Sequence, residues 1–400
     1  MTNDAQFNAA TAPIDARGRG RILAALCVSA FLASLNFFAP TPFYPAMARD
    51  LDTTVPLLGQ VVTLMAFISA ALGLAVGPLA DRYGYRWPLV IGLLAIAVNL
   101  LGMGFAPVYG VVLGLGVIGG LGDALVFALP LAIAGTQFTG DARRRAIGWT
   151  IGALSTAPIV GVPLLTAVGA MASWRVALAV GGLAGAVAAW FVAGALPPDH
   201  RADGTPLRVR ALLTAYAPLL KHPPSLRLFG ITALRAMAWL GMLTYLGAFL
   251  GEEIGLDTRQ IGFVYMLAGG GYVLGSVVAG GRSLGMPPRT LVALASIATG
   301  LALGAMLVIG RSWLVLPLLI AGSFASAAVG VGVTALLAAE TPAGAGTTMV
   351  LNGSILNLGT AASTALGGAL IAFGGYTALG IGLPVFAFAA AVLACWPGDR

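Results

Sequence analysis

Asp123 and Arg235 stand deep inside apolar runs of a chain in which only 9% of residues are charged. Ionisable groups in such surroundings are costly and default to substrate or proton chemistry. A carboxylate there can exchange a proton or recognise a cation, and a guanidinium can receive an anion. If the two lie close, their shared charge balance can shift as access to water changes. Asp123 is therefore read as a proton-titrating or cation-recognising group, with Arg235 as its neighbour. The alternatives are a structural acid satisfied by water or Arg235, and an arginine snorkelling to the interface. Asn36 lies in a stretch with Pro40, Pro42 and Pro45, where a broken helix would expose carbonyls. Tyr245, Asn352 and Asn357 can hydrogen-bond a substrate or tie helices together. His200 and His222 lack metal-ligand spacing, and no nucleophile, base and metal-ligand set shares one depth. No catalytic residue, metal or cofactor is expected. Gly114, Gly116 and Gly119 match a dinucleotide fingerprint but have no preceding strand. Gly116 and Gly120 read instead as a small-x-x-x-small packing stripe.

The elements that must position these residues follow from composition. The chain has 400 residues, 59% of them hydrophobic, and a mean hydropathy of +0.95. A soluble protein would carry about a quarter charged residues, so lipid is the expected solvent. Backbone polar groups in lipid must be satisfied internally, which makes long apolar runs helices. Twelve runs are read, at 22–45, 55–80, 87–106, 109–136, 146–171, 175–197, 227–251, 259–281, 289–310, 312–337, 347–374 and 376–396. The first is expected to be an uncleaved span. Arg49, Arg175, Arg259 and Arg311 fall in loops on one side; every other loop arginine and lysine falls on the side of both termini. By the positive-inside rule both termini are expected to be cytoplasmic. The expected organisation is a tail at 1–21, a six-helix bundle at 22–197, a central loop at 198–226, a second bundle at 227–396 and a tail at 397–400. Residues 207–220 of the loop could form an amphipathic surface helix. The +7 charge does not suggest nucleic acid, because basic residues do not alternate with aromatics. Cys27 and Cys395 both lie in runs and are expected to be free thiols.

A charge cluster interrupts this pattern. GPLADRYGYRW, residues 77–87, sits between the second and third runs. Its spacing, Gly77, Asp81, Arg82, Gly84 and Arg86, resembles the signature of the major facilitator superfamily, with Tyr85 where a second basic residue is usual. The resemblance implies twelve transmembrane helices in two pseudo-symmetric six-helix bundles, an all-α membrane fold. It also implies that the cluster latches the halves near the start of the eleventh run, around Thr347 and Thr348, with Glu340 close by. Gly148, Gly152, Pro158, Gly161 and Pro163 in the fifth run look like the bend-and-packing motif of drug:proton antiporters, with Ala157 in place of a glycine. Residues 351–359, LNGSILNLG, resemble the sugar-efflux or arabinose-efflux-like branch. Runs one, four, seven and ten line the cavity in this superfamily, which puts Asp123 and Arg235 on cavity helices. Gly116 stands where drug antiporters usually carry an arginine, a departure from their proton machinery.

The resemblance implies a secondary active transporter that exports a small organic molecule by rocker-switch proton antiport. The proton gradient is then the energy source, and a monomer in a bacterial-type inner membrane is expected. Uptake or facilitated movement of a small organic anion, received by Arg235, is the alternative. A membrane enzyme or a non-transporting receptor is a third class. The first needs a catalytic cluster and the second a soluble output domain.

Overall fold

The computed structural model describes residues 16–197, 216–281, 285–342 and 344–396, and every element among them is helical. In chain order these are α1 (Ala16–Phe38), a 3-10 turn (Thr41–Phe43), α2 (Tyr44–Asp50), α3 (Val55–Tyr83), α4 (Arg86–Phe105), α5 (Tyr109–Gln137), α6 (Gly140–Thr156), a π turn (Ala157–Gly161), α7 (Val162–Met171), α8 (Trp174–Ala195), α9 (Pro223–Glu252), α10 (Thr258–Gly280), α11 (Pro288–Ile309), α12 (Ser312–Glu340) and α13 (Ala345–Cys395). Helix is the outcome lipid dictates, and the outer surface fits that solvent: Trp190 is 80% exposed and Phe373 92%. In water such a surface would aggregate.

The breaks fall where backbone chemistry requires them. Pro40, Pro42 and Pro45 cannot donate to a helix ladder, and α1 gives way there to the 3-10 turn and α2. Pro158 likewise sits in the π turn between α6 and α7, the usual form of a local helix bulge. Eleven stretches are long and apolar enough to cross a membrane among the described residues, against twelve expected runs. The difference lies in α13, whose 51 residues hold the last two runs. It leaves helical geometry at Gly374 and Gly375, where Gly375 has φ 64°. A Cβ on Gly382 would lie 2.6 Å from Leu370, a contact no straight helix could make, so α13 is a hairpin. Two other boundaries differ. α1 already contains Arg17, Arg19 and Arg21, which were expected in a tail, and α9 begins at Pro223 within the expected loop. Of the expected amphipathic segment at 207–220, residues 216–220 are helical, and the rest lies outside the described residues.

Glycines set the helix spacing within the first half. A Cβ on Gly120 of α5 would stand 2.6 Å from the Met65 carbonyl oxygen of α3, and one on Gly122 would stand 2.9 Å from the Gly92 carbonyl oxygen of α4. One face of α5 therefore meets α3 and the adjoining face meets α4. At the end of the bundle away from the start of α1, the Trp174 indole donates to Asp50 (2.7 Å) and the Arg175 guanidinium to the Ala106 carbonyl (2.7 Å). The face that carries the start of α1 and the end of α13 is called the basic face below, and the other the opposite face.

The two halves meet unequally. α3 and α13 run antiparallel with their pairs in step: Gly368 beside the Pro56 carbonyl, Thr63 to Thr364 at 2.8 Å, Ser69 to Asn357 at 3.1 Å, and Gly73 beside Ser354. The second seam is confined to the opposite face. There Gly262 of α10 packs on Pro163 and Thr166 of α7, and Gly269 on Ile159 of the π turn. Thr41 and Tyr265 hydrogen-bond across it at 2.9 Å, and Gly247 of α9 presses on Thr41 and Pro42. α6, toward the basic face, barely touches α10. The main buried core is accordingly continuous through both halves, while the second half keeps a separate cluster of Leu228, Val292, Val329 and Leu336 on its basic-face side.

Candidate functional site

Asp123 is 4% exposed and faces α1 and α4. Its Oδ1 accepts a hydrogen bond from Asn36 Nδ2 at 2.9 Å, and Asn36 Oδ1 accepts one from Asn99 Nδ2 at 2.8 Å. Both asparagines are fully buried, and Asn99 Oδ1 receives no hydrogen bond among the described residues. Three helices thus contribute one polar group each: α4 Asn99, α1 Asn36 and α5 Asp123. The slot for Asn99 is made by Gly119, one turn before Asp123, because a Cβ there would lie 2.7 Å from the Asn99 amide.

This chain has a direction. As oriented, each amide nitrogen points toward the carboxylate. An amide has a donor end and an acceptor end of nearly equal size. If Asp123 carries a proton it can donate instead, provided Asn36 and Asn99 turn over. The reversed chain keeps the same number of hydrogen bonds, with Asn99 Oδ1 now accepting from Asn36.

Arg235 is not part of this chain. The ion pairs among the described residues are Arg144 with Asp141 and Arg289 with Glu340. Asp123 turns toward α1 and α4 because Gly119, Gly122 and Asp123 share one face of α5. Arg235 is half-buried on α9 and lays its guanidinium against α12, with Nη1 and Cζ 3.3 and 3.4 Å from where a Gly330 Cβ would be. The expected proximity of acid and arginine is therefore replaced by two separate centres, one in each half.

The remaining candidates are spread along the seams. The Tyr245 hydroxyl donates to the Thr364 carbonyl at 2.6 Å, and its ring fills a slot lined by Gly59, Gly367 and Gly368. Asn352 accepts from Thr232 at 2.7 Å, and Asn357 donates to Ser69 across the halves. Gly161 packs on Leu35 and Phe31, and Pro163 on Gly262, but a Cβ on Gly148 or Gly152 would meet nothing within 4 Å. In the charge cluster the side chains of Gly77, Asp81 and Arg82 lie outside the described residues. Gly84 ends α3 with φ 81°, a conformation glycine adopts without strain. Arg86 opens α4 with its guanidinium 5.5 Å from the Trp87 ring centre. α13 starts at Ala345, two residues before the expected Thr347, and Thr348 bonds Thr341 at 3.1 Å. Glu340, expected near the latch, pairs with Arg289 at 2.7 Å. An apolar crevice of about 570 Å³ opens between Pro163, Leu250, Phe263 and Leu316 near the opposite face, remote from Asp123.

Sequence reasoning missed Asn99. The signal for Asn99 was present: it is a lone amide in an otherwise apolar run, and a buried amide requires a partner.

A family profile described as "Major Facilitator Superfamily" matches residues 26–309. The chain is 28% identical over 262 residues to the uncharacterized MFS-type transporter YtbD of Bacillus subtilis (strain 168), covering 64% of each. It is 30% identical over 163 residues to a chloramphenicol resistance protein of Pseudomonas aeruginosa, covering 40% of this chain and 39% of that one. The chain spans less than two thirds of the length of the curated relatives it matches. A structure of a variant of the nucleoside transporter NupG aligns with a TM-score of 0.73 over 93% of this chain and 98% of that one, at 15% identity, a likeness of fold alone.

Proposed function

Because the chain belongs to the Major Facilitator Superfamily, we propose that it is a secondary transporter of a small organic molecule, its halves rocking to give alternating access. The observation that carries this reading is the unequal closure of the seams. α7 and α10 seal the opposite face, and α6 parts from the second half toward the basic face. Counted as two crossings, the α13 hairpin brings the total to twelve. The basic face is then cytoplasmic, the membrane a bacterial-type inner membrane, and the protein works as a monomer. The Asp81 cluster latches the halves on that side when the opposite face opens.

Coupling resides at Asp123. Proton uptake there reverses the Asn36 and Asn99 chain, which ties α1 and α4 to α5 in one of two polarities. Efflux by proton antiport is the mode this supports. Anion uptake is the second reading, and it is favoured by Arg235, which has no carboxylate partner among the described residues.

The test needs no known substrate. With Cys27 and Cys395 replaced by serine, spin labels at Arg145 and Gly280 report the basic face, and labels at Met171 and Arg259 the opposite face. Alternating access predicts two distance populations at each face that change reciprocally between pH 8 and pH 5. Asp123→Asn should abolish the pH response while both populations remain. One fixed distance at both faces would sink the transport reading. An unchanged pH response in Asp123→Asn would remove only the coupling assignment.

A further inference from the structure

The apolar crevice near the opposite face is cut into the seam between the halves. Pro163 and Ala167 of α7 form one wall, and Leu250, Phe263 and Leu316 of the second half form the other, around about 570 Å³. That volume lies within the range of ligand clefts, about 300–1,000 Å³. Pro163 stands eight residues before the end of α7, so the crevice reaches about 12 Å below that helix end. Phe263 on its edge is exposed, and so is Trp313, next to the lining residue Ser312. A tryptophan exposed at this level marks the boundary between hydrocarbon and headgroups. An apolar crevice opening on that boundary is filled by lipid.

The rim has a sign. Among the described residues the opposite face carries four arginines, Arg49, Arg175, Arg259 and Arg311. Arg175 is committed to the Ala106 carbonyl. Arg259 lines the crevice and Arg311 directly precedes Ser312. Both are exposed, and neither joins an ion pair among the described residues. The nearby acids are engaged elsewhere: Asp257 caps α10 together with Gln260, and Glu252 accepts from the Tyr376 hydroxyl at 2.7 Å. Glu253, at the end of α9, does not line the crevice. α12 starts at the same rim without a capping side chain, which leaves the positive end of its dipole there.

From these features we infer that the crevice is a site for one anionic phospholipid, with an acyl chain between α7 and α10 and the headgroup at Arg259 and Arg311. A chain that leaves the bilayer gains little by apolar burial, because lipid tails are as apolar as leucine. Selectivity therefore rests on headgroup charge. Each half supplies one wall, so the chain fits only while the opposite face is sealed. A ligand that binds one of two states shifts the population toward it. The lipid thus favours the state open at the basic face. That bias rests on the alternating-access reading, whereas the site itself does not.

Binding is measured first, in a neutral detergent, from the thermal unfolding midpoint of the purified protein. Dioleoyl phosphatidylglycerol is the probe and dioleoyl phosphatidylcholine its zwitterionic match. Phosphatidylglycerol should raise the midpoint in a saturable manner and act at lower concentration, by about fivefold per arginine, the worth of one basic side chain at an anionic lipid surface. Arg259→Gln combined with Arg311→Gln should remove that preference. Ala167→Phe fills the crevice, keeps both arginines, and should abolish the saturable shift. Size-exclusion profiles establish that each variant is folded. No saturable shift in the wild type, a preference retained without the two arginines, or an unchanged shift in Ala167→Phe would overturn the site. The bias is measured next, in nanodiscs, with the labels at Arg145 and Gly280, which leave Arg259 and Arg311 in place. Their separated population should be larger in phosphatidylglycerol than in phosphatidylcholine, and the double arginine variant should remove the difference. Two populations in the same ratio in both lipids would overturn the bias. One fixed distance would instead sink the transport reading and leave the lipid site standing.

Discussion

The two halves treat their intramembrane charge in opposite ways. In the first, Asp123 is closed in by α1 and α4 and held by an amide that is itself held by another amide. In the second, Arg235 is half-buried, lies on a glycine and has no partner among the described residues. A satisfied buried group stabilises its surroundings, whereas an unsatisfied one is a cost kept for a purpose. The contrast separates a group that changes state inside the fold from one that waits for something outside it.

Stability measurements can break this contrast. Asn36→Leu strands the Asp123 carboxylate and the Asn99 amide together. Two buried groups without partners should cost about 3 kcal/mol, read from chemical unfolding in detergent. Replacing Asn36, Asn99 and Asp123 together by leucine should recover most of that loss, since no polar group is then left unmatched. A single Asn36→Leu change below about 0.5 kcal/mol would show that the chain is not what holds Asp123.

Arg235 should respond with the reverse sign. Arg235→Leu removes a charge that the membrane disfavours, and the unfolding free energy should rise by about 1–2 kcal/mol, discounted from the full central-membrane penalty because the side chain is only half-buried. A loss of similar size would mean that Arg235 is held by contacts in the resting protein, and the contrast between the halves would fail.

Gly119→Ala sharpens the first-half side. Its methyl would enter the space of the Asn99 amide, at about 1–2 kcal/mol, the usual cost of overpacking. Asn99→Ala made in the same chain should absorb that methyl, so the double variant should be more stable than the sum of the singles predicts. Additivity would place Asn99 elsewhere.

The helices themselves were legible because hydropathy and the backbone's need for internal hydrogen bonds leave one solution in lipid. Even the α13 turn falls at the expected boundary of the last two runs, at Gly374, the last residue of one, and Gly375, the residue between them. What the sequence hides is rotation about each helix axis. Asp123 and Arg235 both lie on helices expected to line a cavity, which made them natural partners. The face on which Asp123 emerges is set by Gly119 and Gly122 packing on α4, and linear spacing does not say which neighbour a glycine meets. Gly148 and Gly152 show the same limit: they match a packing motif, yet a Cβ at either would meet open space. Asn99 escaped because its meaning depends on Asn36, a partner far off in sequence.

The smallest effect lies on the seam that must open if the halves rock. The Tyr265 hydroxyl of α10 lies 2.9 Å from Thr41 of the first half and 3.1 Å from the Leu243 carbonyl of its own half, and its one proton serves one of them at a time. Thr41 separately bonds the Phe38 carbonyl at 2.9 Å, so it is not orphaned when the tyrosine hydroxyl is removed. Tyr265→Phe therefore deletes one bond that crosses the halves and exists only while the opposite face is sealed. Such a bond is worth about 1 kcal/mol, or roughly a fivefold change in an equilibrium constant. The labels at Met171 and Arg259 should show the open population rising by that factor, with a matching gain of the closed population at Arg145 and Gly280. If overall stability falls while both ratios stay fixed, the hydroxyl bond persists in every state, and the opposite-face seam is a static joint.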